Sequence, residues 1–239
     1  MSVEFYNAIT WTLAIGVLAA AVFAIVSLLF VVLRWKTPAR RKHVRRFLFA
    51  LVTIPCLIGI QQAIVWFVFL PAIGRQQVEK FEAARAESHS STSFVGIGDP
   101  VPQFSATTAD GDQFSINEAA GDVVLINFFA TWCGPCRAEL PHIEQIWTDR
   151  GNDPHFRLLV IGREETNESV VEFRESNGFS FPIAADPDRD IYSLFASELI
   201  PRTLVISPGG TIVYSKVGFV DSDLEELNNI LDEQLAQFR

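Results

Sequence analysis

Trp132-Cys133-Gly134-Pro135-Cys136 is the segment of this chain whose residue types and spacing point most directly to a reaction. Two cysteines separated by two residues can cycle between a dithiol and a disulfide. The run before them, Val123 to Phe129 (VVLINFF), reads as a buried strand. A strand that turns into a Cys-x-x-Cys pair at the start of a helix puts Cys133 beside free amide N–H groups and the positive end of the helix dipole. Both favour a thiolate. Cys136 follows about one helical turn later, near enough to close a disulfide with Cys133. The same pair is also half of a zinc site, but structural zinc wants four ligands. The third cysteine, Cys56, lies in a distant apolar run, and His43, His89, His142 and His155 show no H-x₃₋₅-H spacing. Redox chemistry is therefore expected, and a metal site is not.

The elements that must hold this motif are unevenly distributed. Residues 8–33 and 47–70 contain no charged side chain, and each run exceeds the ~20 residues needed to cross a bilayer. The sequence predicts two transmembrane helices there. A cleaved signal peptide is disfavoured for the first run: it is long, its positive charges lie on the C-terminal side, and no A-x-A-like site follows. The loop between the runs, residues 34–46, holds Arg34, Lys36, Arg40, Arg41, Lys42, Arg45 and Arg46 and no acid. By the positive-inside rule it is cytoplasmic, so both termini and the Cys-x-x-Cys domain face the periplasm or its equivalent. Residues 72–239 carry 12 basic and 27 acidic side chains, a net −15, which argues against nucleic-acid binding.

Residues 1–74 thus read as a membrane anchor, 75–95 as a stalk and linker, and 96–239 as the catalytic domain. Residues 75–87 are charged and helix-prone, and Ser88-His89-Ser90-Ser91-Thr92-Ser93 is polar and reads as flexible. Cys56 falls near mid-bilayer, too deep to meet Cys133, and reads as an inert thiol. Gln61 and Gln62 share its helix and are suited to hydrogen bonds within the hairpin or to a partner helix.

From Gly98 onward strands and helices alternate. Asp110-Gly111 signals an initial hairpin. Then come a strand (123–129), a helix (about 133–149), a strand (156–162), a helix (167–177), a short strand (181–185) and a helix (188–196). Strands 203–207 and 211–217 are split by Pro208-Gly209-Gly210. The last helix, 221–237, has Leu224, Leu227, Ile230, Leu231 and Leu235 on one face. The pattern is α/β, a mixed sheet between helices.

With VVLINFFATWCGPCRAELP in place, residues 96–237 resemble the membrane-anchored, thioredoxin-like reductases of the TlpA/ResA family. Gly98-Asp99-Pro100 with Phe104, the Asp110-Gly111 hairpin, Phe181-Pro182 and Ile200-Pro201-Arg202-Thr203 extend the likeness. The resemblance implies a thioredoxin-like fold with an N-terminal hairpin extension. It makes Cys133 the attacking thiolate and Cys136 the resolving one, joined in a redox-active disulfide. It makes Pro201 the cis-proline beside the active site, with the Ile200 backbone open to an extended substrate segment. Trp132, Gly134 and Pro135 complete the substrate-binding rim.

Asn127 occupies the strand position where thioredoxin has a buried aspartate, and Asn cannot titrate. Glu139 matches a glutamate that ResA-like reductases carry near the active site, and is expected to act as the proton acceptor that Asn127 cannot be. Arg202 departs from the small residue often found after the cis-proline. It reads as a surface arginine or as a preference for acidic substrates.

The family implies extracytoplasmic protein disulfides as substrates, such as apocytochrome c or an oxidase copper-site protein, and a membrane electron donor similar to DsbD/CcdA. No cofactor is expected, since G-x-G-x-x-G is absent. A disulfide oxidase or isomerase, or a non-enzymatic copper-delivery or assembly module, stays open beside the reductase. A peroxidase is disfavoured by the missing Pro/Thr turn around a single cysteine.

Overall fold

The computed structural model describes residues 40–238 together with Val22, Ile25, Val26, Leu28, Leu29 and Val32. The chain divides into two compact units, Met1–Lys80 and Phe81–Arg239.

Helix α1 (Arg40–Ile64) of the first unit runs through a π-helical turn, Val65–Phe69, into helix α2 (Leu70–Thr92), whose residues from Phe81 on belong to the second unit. The expected first span, 8–33, lies outside the described residues except for the six positions named, which are helical. Among the described residues one helix, Ile58–Thr92, is long and apolar enough to cross a membrane, so a two-helix hairpin is not established. Trp66 and Phe67 lie exposed along it. The basic residues Arg40–Arg46, expected in a loop, already belong to α1, in keeping with the helix propensity of Arg and Lys. Pro55 sits within α1 without ending it.

The segment 88–93, read from sequence as flexible, is instead helical to Thr92. Its hydroxyls turn inward to the helix: Thr92 Oγ1 donates to the Ser88 carbonyl and Ser90 Oγ to that of Glu87. Ser and Thr are weak helix formers in isolation, and tertiary contacts of this end override that preference.

The second unit is built on a five-stranded sheet in the order β5-β4-β3-β6-β7. Its strands are β3 (Val123–Phe129), β4 (Phe156–Arg163), β5 (Ile183–Asp186), β6 (Arg202–Ile206) and β7 (Ile212–Val217). The pairs β3–β4 and β4–β5 are parallel; β6 and β7 run antiparallel to their neighbours. The short hairpin β1 (Ser105–Thr107) and β2 (Gln113–Ser115) precedes the sheet, with Gly111 at φ 90° in its turn. Around the sheet lie α3 (Gly134–Arg150), α4 (Asn167–Asn177), α5 (Tyr192–Phe195) and α6 (Asp223–Leu235). This is a thioredoxin-like α/β fold with a mixed sheet.

Strand alternation sorts the core into two layers. Val123, Leu125 and Phe129 join Leu140, Ile143, Leu227, Leu231 and Leu235 on the α3/α6 face. Val124, Ile126 and Phe128 join Ile116, Tyr192, Phe195 and Leu204 on the opposite face. Every residue of β3 is buried, as a central strand covered on both sides requires. The helix expected over 188–196 shortens to α5, because the Asp186 carboxylate accepts from the backbone N–H groups of Ile191 and Tyr192 and fixes the preceding residues in a turn.

Gly162 of β4, paired with Phe129, lies directly against α4. A Cβ there would lie 2.5 Å from Val170 Cγ1 and 3.1 Å from Glu165 Cβ. Valine is stiff at χ1 and cannot turn aside. Gly162→Ala is expected to lower stability by about 1–3 kcal/mol through overpacking, read as a shift in the denaturant midpoint at unchanged m.

Candidate functional site

Strand β3 ends at Phe129, and the chain turns through Ala130–Trp132 into α3, whose N-cap is Cys133. Pro135 stands in the first turn, where its missing N–H costs nothing. Cys133 and Cys136 form a disulfide. The Cys136 backbone N–H points at Cys133 Sγ from 3.2 Å, the arrangement that holds a thiolate once the disulfide is reduced. Cys133 is 5% exposed and Cys136 fully buried, whereas Trp132 is 68% exposed. The two sulfurs therefore differ in reach: only Cys133 touches the surface, and its neighbour in sequence, Trp132, is solvent-exposed.

The Ile200–Pro201 bond is cis, and the Ile200 carbonyl oxygen lies 4.0 Å from Cys133 Sγ. The structure thus brings together Trp132, Cys133, Gly134, Pro135, Cys136, Ile200 and Pro201, the residues singled out from sequence.

Glu139 follows Cys136 by three residues, so the two share a face of α3. It is buried. Asn127 lies on the same layer as Leu125 and Phe129, and its Nδ2 donates to Glu139 Oε2 at 2.9 Å. Thr203, the register partner of Asn127 on β6, donates through Oγ1 to Glu139 Oε1 at 2.6 Å and accepts from Asn127 Nδ2 at 2.9 Å. These three residues close a ring. Burial raises the Glu139 pKa to about 7, opposed by the hydrogen bonds from Thr203 and Asn127; Asp223 adds to the rise and Arg85 offsets it. A carboxyl that titrates near neutrality beside a thiol can take up or release a proton there. Asn127 suits the place because its amide donates to the carboxylate and, turned over, accepts from the acid.

Two polar residues of the site, Thr203 and Glu165, escaped the sequence reading, and a third, Arg202, was misplaced by it. Thr203 could have been found from strand pairing, since it stands opposite Asn127. Glu165 gave no sequence signal: it is buried and accepts from the backbone N–H and hydroxyl of Thr131, both at 2.7 Å, and from Ser169 Oγ. It therefore pins the turn that delivers Trp132 and Cys133. Arg202 is 3% exposed, which corrects its reading as a surface or substrate-facing arginine. Its side chain falls on the layer opposite Thr203 and bonds the Tyr192 hydroxyl and the Glu198 carbonyl. His142, assigned no role from sequence, packs its ring against Phe219. Among the described residues, no group of three or more His, Cys, Asp or Glu side chains could hold a metal ion.

The AhpC/TSA family model matches residues 97–215. A solved structure from Bacteroides thetaiotaomicron, assigned as a protein disulfide isomerase, is 34% identical, covering 61% of this chain and 93% of that one at a TM-score of 0.59. The chain belongs to the AhpC/TSA family of thioredoxin-fold proteins. Within that family it is similar to the thiol-disulfide oxidoreductase ResA of Bacillus subtilis, 26% identical over 143 residues, 57% of this chain and 76% of the relative. It is also similar to a thiol:disulfide interchange protein of the thioredoxin family from Chlorobium tepidum (26% identical, 59% and 99% covered, TM-score 0.51). This family member is a thiol-disulfide oxidoreductase.

The raised pKa of Glu139 sets a sign for stability against pH. Between its ordinary 4.5 and about 7 the folded protein binds more protons at this site than the unfolded chain. The contribution of Glu139 is thus full below pH 4.5 and is lost as pH rises through 7, by about 3 kcal/mol. Glu139→Gln should flatten that part of the profile, measured as the difference between variant and parent denaturant midpoints across pH 4–8.

Proposed function

We propose that this oxidoreductase is a membrane-anchored disulfide reductase acting on exported proteins at the extracytoplasmic side. The observation that carries this reading is the Cys133–Cys136 disulfide at a helix N-terminus, backed by a buried carboxyl that titrates near neutrality. The reduced Cys133 thiolate attacks a substrate disulfide, forming a mixed disulfide and releasing one substrate thiolate, which takes a proton from water. Cys136 then attacks Cys133 Sγ, its proton passing to Glu139. This closes the Cys133–Cys136 disulfide and releases the second substrate thiolate, which takes a proton from water as the first did. Two electrons move from the enzyme dithiol to the substrate.

The reducing direction is supported by Gly134-Pro135, the dipeptide of thioredoxin, whose potential is about −270 mV. The location is supported by the basic residues 34–46, the acidic domain that follows and the apolar helix within Ile58–Thr92. The substrates that suit a ResA-like enzyme are apocytochrome c or an oxidase copper-site protein. Reduction in an oxidising compartment needs a membrane donor of the DsbD/CcdA kind to return two electrons to Cys133–Cys136. An isomerase is the second reading, favoured by the 34% identity to the Bacteroides protein.

Acid trapping of intact cells followed by mass-tag alkylation separates these. A reductase is expected with Cys133 and Cys136 mostly as thiols, whereas a mostly oxidised pair in cells with an active donor would overturn the direction. The division of labour has its own test. Cys136→Ser should accumulate mixed disulfides through Cys133, visible on non-reducing gels, and Cys133→Ser should accumulate none. The reverse pattern would exchange the two roles.

A further inference from the structure

The loop that faces Cys133 is held from outside the sheet by the end of helix α2. Arg202, next to Pro201, sends its guanidinium away from the disulfide to Thr92 Oγ1 at 2.6 Å and Ser93 Oγ at 2.7 Å. The same group donates to the Glu198 carbonyl at 2.9 Å and to the Tyr192 hydroxyl at 3.2 Å, and Tyr192 donates to the Leu199 carbonyl at 2.7 Å. Leu199 itself is held at φ 71°, a conformation a leucine adopts only under such restraint. The helix end also pairs with the chain ahead of the loop: Ser197 N–H donates to the Thr92 carbonyl and Phe94 N–H to that of Phe195. No carboxylate pairs with Arg202 among the described residues; its charge is met by hydroxyls and a carbonyl alone. A buried cation so placed depends on every one of those acceptors.

The other side of the loop is tied to the same helix two turns earlier. Arg85 donates to the Val217 and Gly218 carbonyls at 2.6 and 2.9 Å and pairs with Asp223. Gly218 N–H donates to the Pro201 carbonyl at 2.8 Å. His89, between the two arginines, meets Ser215 Oγ at 2.9 Å. All of these residues lie in the second compact unit. Residues 85–93 therefore grip Ile200–Pro201 from both flanks, through Arg202 on one and through Arg85 and Gly218 on the other.

We propose that Arg202 and Arg85 are positioning residues, through which the end of helix α2 fixes the Ile200–Pro201 loop opposite Cys133 and so sets how well an extended protein segment docks for disulfide exchange. The proposal rests on the reading of Ile200 as the backbone that a protein substrate pairs with. It makes residues 85–93 part of the substrate-docking apparatus and not a passive tether. A small disulfide needs only Cys133 and no strand-like docking, so the two classes of substrate should respond differently.

The test uses the full chain in detergent micelles. Arg202→Gln, Arg85→Gln and the double variant Thr92→Val/Ser93→Ala are compared with the parent for exchange with insulin and with a small aromatic disulfide reagent. The expected result is a fall of about tenfold in kcat/KM with insulin, carried by KM. The rate with the small reagent and the equilibrium constant for Cys133–Cys136 exchange with glutathione should stay within about twofold of the parent. Arg202→Lys should recover part of the insulin rate. Arg85→Gln, at the less buried of the two arginines, decides the matter if the Arg202 and Thr92/Ser93 variants do not fold. Folded variants that lose both rates together, or neither, would overturn the proposal. Because each result is a ratio to the parent, it can be read in the oxidising direction with a dithiol peptide. A parent that fails to reduce insulin would overturn the reductase reading and leave the ratio intact.

Discussion

A carboxyl group placed inside an apolar layer must find donors or give up its charge, and Glu139 does some of both. The layer between the sheet and helix α3 is otherwise aliphatic and aromatic. Asn127 and Thr203, side by side on neighbouring strands, supply the donors. Their positions follow from strand alternation: Asn127 faces α3 because Leu125 and Phe129 do, and Thr203 does because it pairs with Asn127. The carboxyl then lies one helical turn beyond Cys136. The same strand ends in the turn that delivers Cys133, so one register aligns both the proton acceptor and the nucleophile. A slip of one residue in β3–β6 pairing would send Asn127 to the other layer and leave Glu139 without it.

Much of this was legible in the sequence because its causes are local. A seven-residue run apolar but for Asn127, a Cys-x-x-Cys pair at a helix start and Pro-Gly-Gly between two β-branched stretches each act within a few residues. Strand β3 and helix α4 match their expected limits, and the amphipathic stripe of α6 faces the core through Leu227, Leu231 and Leu235. What was hidden depends on contacts far apart in the chain. Arg202 looks like a surface arginine in any window, and only its partners at Thr92 and Ser93, about 110 positions away, explain its burial. The serine-rich run 88–93 carries the composition of a flexible linker, yet it is ordered by what it touches. Glu165 is a plain acid in a charged stretch until the fold sets it under Thr131.

Polar residues of the site divide by layer. Those that touch the Cys136 side of the chemistry, Asn127, Thr203 and Glu139, lie on the α3 face. Those that hold the loop opposite Cys133, Arg202 and Tyr192, lie on the other. Because β6 carries Arg202 and Thr203 in succession, adjacent residues of one strand serve the two sides of the disulfide. Substrate docking and proton transfer can therefore vary separately, each by substitution on its own face.

The hydrogen bonds of Arg85, His89, Thr92 and Ser93 also bear on how the catalytic unit can be cut from the chain. A soluble fragment started at residue 96, where the sequence likeness to thioredoxin-like reductases begins, would retain the buried Arg202 guanidinium and strip it of the Thr92 and Ser93 hydroxyls, two of its three hydroxyl acceptors. It would also free the Val217 and Gly218 carbonyls that Arg85 holds. The compact unit itself starts at Phe81. A fragment that preserves the native surroundings of the disulfide accordingly begins there, taking the last three turns of helix α2 with it.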